Sequence, residues 1–216
     1  MIDAALLPLQ RRLFAPAARL VLRTGLGADQ ITLGGFVLGA LAVPALAMEH
    51  YTLALVLILL NRFADGLDGA VARLRGPTDR GAFLDIALDF VFYALVPLGF
   101  ACADPGANAL AAAVLVTAFV GTGSSFLAFS VIAAKRGMAA EAFPAKGIYY
   151  LGGLIEGAET ILAFGVMCLW PAAFPAVACV FAAACVVTTA TRWLQGWQSF
   201  GDTGTGPVPA ARARER

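Results

Sequence analysis

Six long apolar stretches, at about 31–48, 52–73, 82–103, 108–134, 147–169 and 171–193, constrain this chain more than any other feature of it. Each is close to or beyond the roughly 20 mostly apolar residues that an α-helix needs to cross the hydrocarbon layer of a bilayer. In hydrocarbon the helix also satisfies its own backbone donors and acceptors, which irregular chain cannot do. The sequence therefore predicts an all-α fold, a polytopic membrane protein with six transmembrane helices. These form one membrane domain over residues 1–199, with no second domain and no internal repeat. Only 13% of the residues are charged, and a net charge of +1 gives no basic field of the kind nucleic acid would require.

The flanks of the spans orient them. Between Leu6 and Arg23 the apolar residues Leu6, Leu9, Leu13, Ala17, Leu20 and Val21 recur at three-four spacing, with Arg11, Arg12, Arg19 and Arg23 opposite them. Residues 5–24 are therefore expected to form an amphipathic juxtamembrane helix lying in the headgroup layer. Pro16 is expected to kink or interrupt it. No compact signal-peptide core precedes it, so this segment is read as retained. Basic residues cluster before the first span, around Arg73, Arg75 and Arg80, around Lys135, Arg136 and Lys146, and in the tail at Arg212, Arg214 and Arg216. The alternate connections, at Glu49 to Tyr51, Cys102 to Asn108 and Trp170 to Pro171, carry no Lys or Arg. By the positive-inside rule both termini are cytoplasmic. Residues 200–216, rich in Gly, Pro and Arg, are expected to be a disordered cytoplasmic tail. The four cysteines show no metal-ligand spacing and are read as small packing residues.

Chemistry concentrates where the second span ends and the third begins. Asp65 and Asp68 are three apart in one span, Asp85 and Asp89 four apart in the next, so each pair lies on one helix face. A short connection at 74–80 makes the two helices antiparallel neighbours and lets the faces converge. On insertion scales an Asp at the centre of a membrane helix costs about 2.5–3.5 kcal/mol, so four uncompensated carboxylates would cost on the order of 10 kcal/mol. Something cationic must offset them. All-oxygen donors without His or Cys indicate a hard cation such as Mg²⁺, Mn²⁺ or Ca²⁺ rather than zinc, with Mg²⁺ or Mn²⁺ expected, and four carboxylates on facing helices have the capacity for two ions. Two ions suit phosphoryl displacement, because they steady both the attacking and the leaving oxygen. Gly66 and Gly69 leave room for a nucleotide or pyrophosphate to approach the backbone, and Arg73 brings a fork of donors for phosphate oxygens. The positive-inside orientation puts this site toward the cytoplasm.

Asp65-x2-Asp68-Gly69-x2-Ala72-Arg73, followed by Gly81-x3-Asp85-x3-Asp89, resembles the signature of the CDP-alcohol phosphotransferases. Eight positions agree, and the likeness extends to the leader, the six spans and the overall size. One spacing departs from the pattern: seven residues separate Arg73 from Gly81, where eight or nine are usual. The resemblance implies a phospholipid-synthesis transferase of the bacterial inner membrane. Such an enzyme moves a phosphatidyl group from a CDP-alcohol, expected to be CDP-diacylglycerol, to a small hydroxyl acceptor and releases CMP. It further implies that Asp89 is the catalytic base and a ligand besides, with Asp65, Asp68 and Asp85 the chief metal ligands. Gly69, Arg73 and Gly81, with Asp65 and Asp68, would line the CDP site, and the protein would be a homodimer.

The acceptor is less constrained. Lys135, Arg136, Lys146 and Arg192 flank cytoplasmic ends of spans and lean toward a phosphorylated polyol such as glycerol 3-phosphate, although basic residues at those ends are expected on topology alone. Glu156 and Glu159 are read either as acceptor contacts or as partners of Arg62, whose first role is an internal ion pair with Asp65 or Glu156. Two other readings compete: a cation transporter using intramembrane carboxylates, and an inactive scaffold of the same family. A transporter would spread its charges through the membrane depth and often repeat its helix pattern; here the aspartates cluster beside glycines and an arginine.

Overall fold

The computed structural model describes residues 2–138 and 153–201, and all regular structure among them is helical. Helix α1 spans Ile2–Arg23, α2 Ala28–Ala40, α3 Ala42–Ala47, α4 Tyr51–Arg75, α5 Asp79–Ala103, α6 Pro105–Lys135, α7 Gly157–Leu169 and α8 Phe174–Phe200, with a 3-10 turn at Pro171–Ala173 leading into α8. Four helical runs are long and apolar enough to cross a membrane: Ala28–Ala47, Asp79–Ala103, Pro105–Lys135 and Pro171–Phe200. Helix α4, at 25 residues, would extend about 37 Å at 1.5 Å per residue, so it is long enough to span, but Arg62, Asp65, Asp68, Arg73 and Arg75 dilute its apolarity. Of the fifth expected span, at 147–169, residues 153–169 are described and α7 supplies 13 helical residues. Lys146 lies outside the described residues.

Two prolines act differently. The apolar stretch at 31–48 is two helices rather than one, because Pro44 has no N–H to donate to Ala40 and the chain turns at Leu41. Pro16, by contrast, does not interrupt α1, which continues to Arg23. Phe14, Ala18, Val21 and Leu22 of α1 pack on Ala70 and Val71 of α4. The outward face carries exposed Arg19 and Arg23, together with largely exposed Leu13 and Leu20. The stripe that packs on protein thus shares Val21 with the face expected from spacing but leaves Leu13 and Leu20 of that face largely exposed. At the other end, α8 runs seven residues past the expected span end at 193, to Phe200, so the start of the expected tail is helical.

The core joins α3, α4, α5, α6, α7 and α8 through fully buried Leu46, Ile58, Phe92, Phe100, Leu115, Phe164 and Phe174. Phe100 and Phe174 stack with ring centroids 4.4 Å apart, and Asn108 Nδ2 donates to the Phe100 carbonyl at 2.9 Å, which ties the start of α6 to the end of α5. Cys168 and Cys185 are buried packing residues, as expected, whereas Cys102 and Cys179 are exposed. Helix α2 comes so close to α4 that a Cβ built on Gly35 would stand 2.6 Å from the Ala64 Cβ. That approach brings α2 within hydrogen-bond reach of the polar half of α4.

Candidate active site

Three helices converge on one polar cleft. Helix α4 brings Asn61, Arg62, Asp65 and Asp68, α5 brings Asp85 and Asp89, and α2 contributes Thr32 and Gly35. The α4–α5 connection makes this convergence possible. Gly76 ends α4 with φ +98°, a left-handed conformation that a side chain disfavours. Thr78 then caps α5, its hydroxyl oxygen accepting from the Gly81 N–H at 3.1 Å. Within that hairpin one carboxylate oxygen from each of Asp65, Asp68 and Asp85 falls within 4.8 Å of the others. Asp68 is buried, and its Oδ2 accepts a hydrogen bond from the Thr32 hydroxyl at 2.5 Å.

Asp89 lies outside that group of three. Its Oδ1 accepts from Arg62 Nη2 at 2.7 Å, and Arg62 Nη1 stands 3.7 Å from Asp65 Oδ2. The guanidinium is held on its other edges too. Nε donates to Asn61 Oδ1 at 2.8 Å and Nη1 to the Tyr93 hydroxyl at 3.3 Å, while the Phe92 and Tyr93 rings lie 4.6 and 5.3 Å from its central carbon. Asn61 is itself fixed by donating from Nδ2 to the Gly35 carbonyl at 2.9 Å. The expected internal ion pair of Arg62 is therefore present, with Asp65 as foreseen and with Asp89 as its shorter partner.

Two larger cavities flank the carboxylates. One, of about 420 Å³, is lined by Gly69, Arg73, Gly81, Thr78, Asp29 and Gln30, and shares Thr32, Asp68 and Asp85 with the polar cleft. Gly69 and Arg73 of α4 and Gly81 of α5 are thus brought to the same cavity. Asp29 and Arg80 form an ion pair at its rim, Oδ2 to Nη2 at 2.5 Å, with Arg80 largely exposed. The other cavity, of about 490 Å³, has mostly apolar walls from Phe90, Phe119, Val120 and Phe126, with Tyr93, Glu156 and buried Arg192 among its polar groups. Arg192 Nη1 donates to the Thr122 carbonyl at 3.0 Å.

Of the residues expected to contact an acceptor, Glu156 and Arg192 line this second cavity. Glu159 instead caps α7, its Oε2 accepting from the Glu156 N–H at 3.1 Å. Arg136 donates to the carbonyls of Ser199 and Phe200 at 3.3 and 3.0 Å, closing the end of α8. Lys135 is exposed in the last turn of α6 and does not line the cavity. Thr32, Asn61 and Tyr93 are site residues that spacing did not disclose. Tyr93 could have been found one helical turn beyond Asp89 on the same face, but nothing local marks Thr32, which is 36 residues from its partner.

An oxygen-rich cluster thus stands between a cavity bordered by Arg73, Arg75 and Arg80 and a second, mostly apolar one. The profile of the CDP-alcohol phosphatidyltransferases matches residues 26–193, and the chain is a member of that family. It is 52% identical over 197 residues, 91% of this chain and 96% of the relative, to the inner membrane protein YnjF of Escherichia coli K12. In structure it is similar to the phosphatidylinositol phosphate synthase PgsA1 of Mycobacterium tuberculosis. The form in complex with manganese and citrate superposes with TM-score 0.70 at 25% identity, covering 91% of this chain and 94% of that one. The form with CDP-DAG bound gives TM-score 0.66 at 28% identity over 91% of this chain and all of that one.

Proposed function

We propose that this protein transfers a phosphatidyl group from CDP-diacylglycerol to a hydroxyl acceptor and releases CMP. The observation that carries the reading is the three-carboxylate cluster opening onto a cavity lined by Gly69, Gly81 and Arg73. The donor set fits a divalent ion: all ligands are oxygens, one is already oriented by Thr32, and the carboxylates would be costly in a membrane without a counter-charge. Asp65, Asp68 and Asp85 would hold that ion, Mg²⁺ or Mn²⁺, which supplies electrophilic stabilisation of phosphate oxygens.

The remaining work falls to this chain's own side chains. Gly69 and Gly81 let the donor's pyrophosphate come close to the backbone, and Arg73 receives its oxygens. The diacyl tail leaves sideways between helices into lipid. CMP departs toward the 420 Å³ cavity, so in-line attack requires the acceptor to come from the opposite side, where Tyr93 lines the apolar cavity and meets Arg62, the partner of Asp89. Asp89 takes the proton of the attacking hydroxyl, and Arg62 holds its carboxylate in place through the 2.7 Å contact. The new bond joins acceptor oxygen to the lipid-side phosphorus as the bond to the CMP oxygen breaks. Glu156 and Arg192 are the acceptor contacts. The protein is a multi-pass inner-membrane homodimer, with both termini and the site toward the cytoplasm and α1 in the headgroup layer.

The test is product identification. Purified protein in detergent is given CDP-diacylglycerol, Mn²⁺ and one acceptor at a time, among them glycerol 3-phosphate, inositol phosphate, serine and glycerol, with lipid products read by mass spectrometry. A new phospholipid formed with one acceptor, and missing in Asp89→Asn, supports the reading. No product with any acceptor and no binding of CDP would overturn it.

A further inference from the structure

We propose that the acceptor is a zwitterionic hydroxyl compound of zero net charge, of the hydroxy-amino-acid class, rather than a phosphorylated polyol. The inference rests on the transferase reading and on Glu156 and Arg192 as its acceptor contacts.

The cavity that holds these two residues has mostly apolar walls, Phe90, Phe119 and Phe126 among them. An uncompensated charge is costly in such surroundings, so the charge of the occupant has to match that of the lining. Among the described residues that lining carries one negative and one positive side chain, Glu156 and Arg192. Gly153 places them at the same end: its N–H donates to Glu156 Oε1 at 3.3 Å, and a Cβ built on it would stand 3.3 Å from Arg192 Nη2. The two charges cancel.

A phosphomonoester brings a charge of about −1.5 to −2 at pH 7. One guanidinium, which also donates to the Thr122 carbonyl and lies 5.8 Å from the Phe126 ring centroid, does not offset that charge beside a carboxylate. The other described basic residues that pointed to a phosphate lie elsewhere. Arg136 binds the carbonyls of Ser199 and Phe200, and Lys135 does not line the cavity. The N-terminus of α7, where backbone N–H groups favour an anion, already has a carboxylate beside it, that of its N-cap residue Glu156. A zwitterion fits each of these features: its carboxylate meets Arg192, its ammonium meets Glu156, and no net charge is buried. Its hydroxyl oxygen bonds the lipid-side phosphorus, CMP leaves with the electron pair of the broken bond, and the hydroxyl proton passes to Asp89.

The test compares acceptors that differ by one charged group. Full-length protein in detergent, with CDP-diacylglycerol and Mn²⁺, is given serine, 3-hydroxypropionate (serine without its amine), ethanolamine (serine without its carboxylate), glycerol and glycerol 3-phosphate. CMP release gives kcat/KM for each, and mass spectrometry identifies the lipid formed. Serine should exceed each of the other four by at least about tenfold. Glu156→Gln should abolish the preference for serine over 3-hydroxypropionate, a change of ratio that general damage to the fold does not produce. Glycerol 3-phosphate or glycerol used as well as serine would overturn the inference and leave the transferase reading intact, and so would an unchanged preference in Glu156→Gln. If that variant fails to fold, the wild-type ranking decides alone. No release with any acceptor would overturn the inference where CDP still binds, and both readings where it does not.

Discussion

Replacing Gly35 with alanine should loosen the active site from behind, and a second substitution should repair it. The Cβ built on Gly35 stands 2.6 Å from the Ala64 Cβ, about 0.9 Å inside the ordinary carbon–carbon contact of roughly 3.5 Å. Ala64 is buried on a rigid helix and cannot swing aside, so α2 must move away from α4 by nearly that amount. Overpacking of this kind costs about 1–3 kcal/mol, against which alanine's better helix propensity returns up to about 1 kcal/mol. Taking the middle of that cost, about 2 kcal/mol, less the full return leaves a net loss of about 1 kcal/mol, which should lower the thermal midpoint by roughly 2–4 °C in a chain of this size. The same displacement acts one turn away, at Thr32, lengthening its hydrogen bond to Asp68 and weakening Mn²⁺ binding. Gly35→Ala/Ala64→Gly removes the clash and should recover most of both losses, giving a coupling of at least about 0.5 kcal/mol in the double-mutant cycle. Thermal unfolding in detergent and Mn²⁺ calorimetry read the two effects. Strictly additive losses in the double mutant would refute the reasoning, since they would mean that the two positions do not touch.

Other outcomes follow from the same contacts. Thr32→Val removes the hydroxyl that orients Asp68 and should weaken Mn²⁺ binding about 10–100-fold with little change in midpoint, as for other groups that orient a metal ligand. Gly69→Leu fills the nucleotide-sized cavity beside Arg73 and should weaken CDP binding by at least about tenfold, a loss of about 1.4 kcal/mol, measured by calorimetry. Arg136→Ala releases the two carbonyls at the end of α8 and should cost about 1–2 kcal/mol in stability while sparing CMP release. A fall in acceptor affinity in that variant would return Arg136 to the acceptor site.

The helical membrane class was legible because hydropathy reports burial in lipid directly, and the aspartate pairs were legible because spacings of three and four fix a helix face. The partition of those aspartates was not. It depends on Arg62 reaching Asp89, 27 residues away, and on Thr32 reaching Asp68 across 36, and such pairings arise from how helices pack. Prolines were only half readable: the lost hydrogen bond is the same at Pro16 and Pro44, yet one helix runs through and the other divides. Basic residues at the ends of spans were equally ambiguous. Arg136 and Arg192 satisfy the same topological rule, but one binds the end of a neighbouring helix and the other lines a cavity.

Metal-dependent transfer by the three-carboxylate cluster requires that CMP release depend on both the ion and Asp68. The deciding measurement is CMP release from CDP-diacylglycerol by wild type and Asp68→Asn, each with Mn²⁺ and after chelation, using the acceptor that gives a lipid product. Release by wild type that stops on chelation, returns with Mn²⁺ and is lost from Asp68→Asn is the predicted result. Release that persists without metal, or that Asp68→Asn retains in full, would contradict the assignment of chemistry to this cluster.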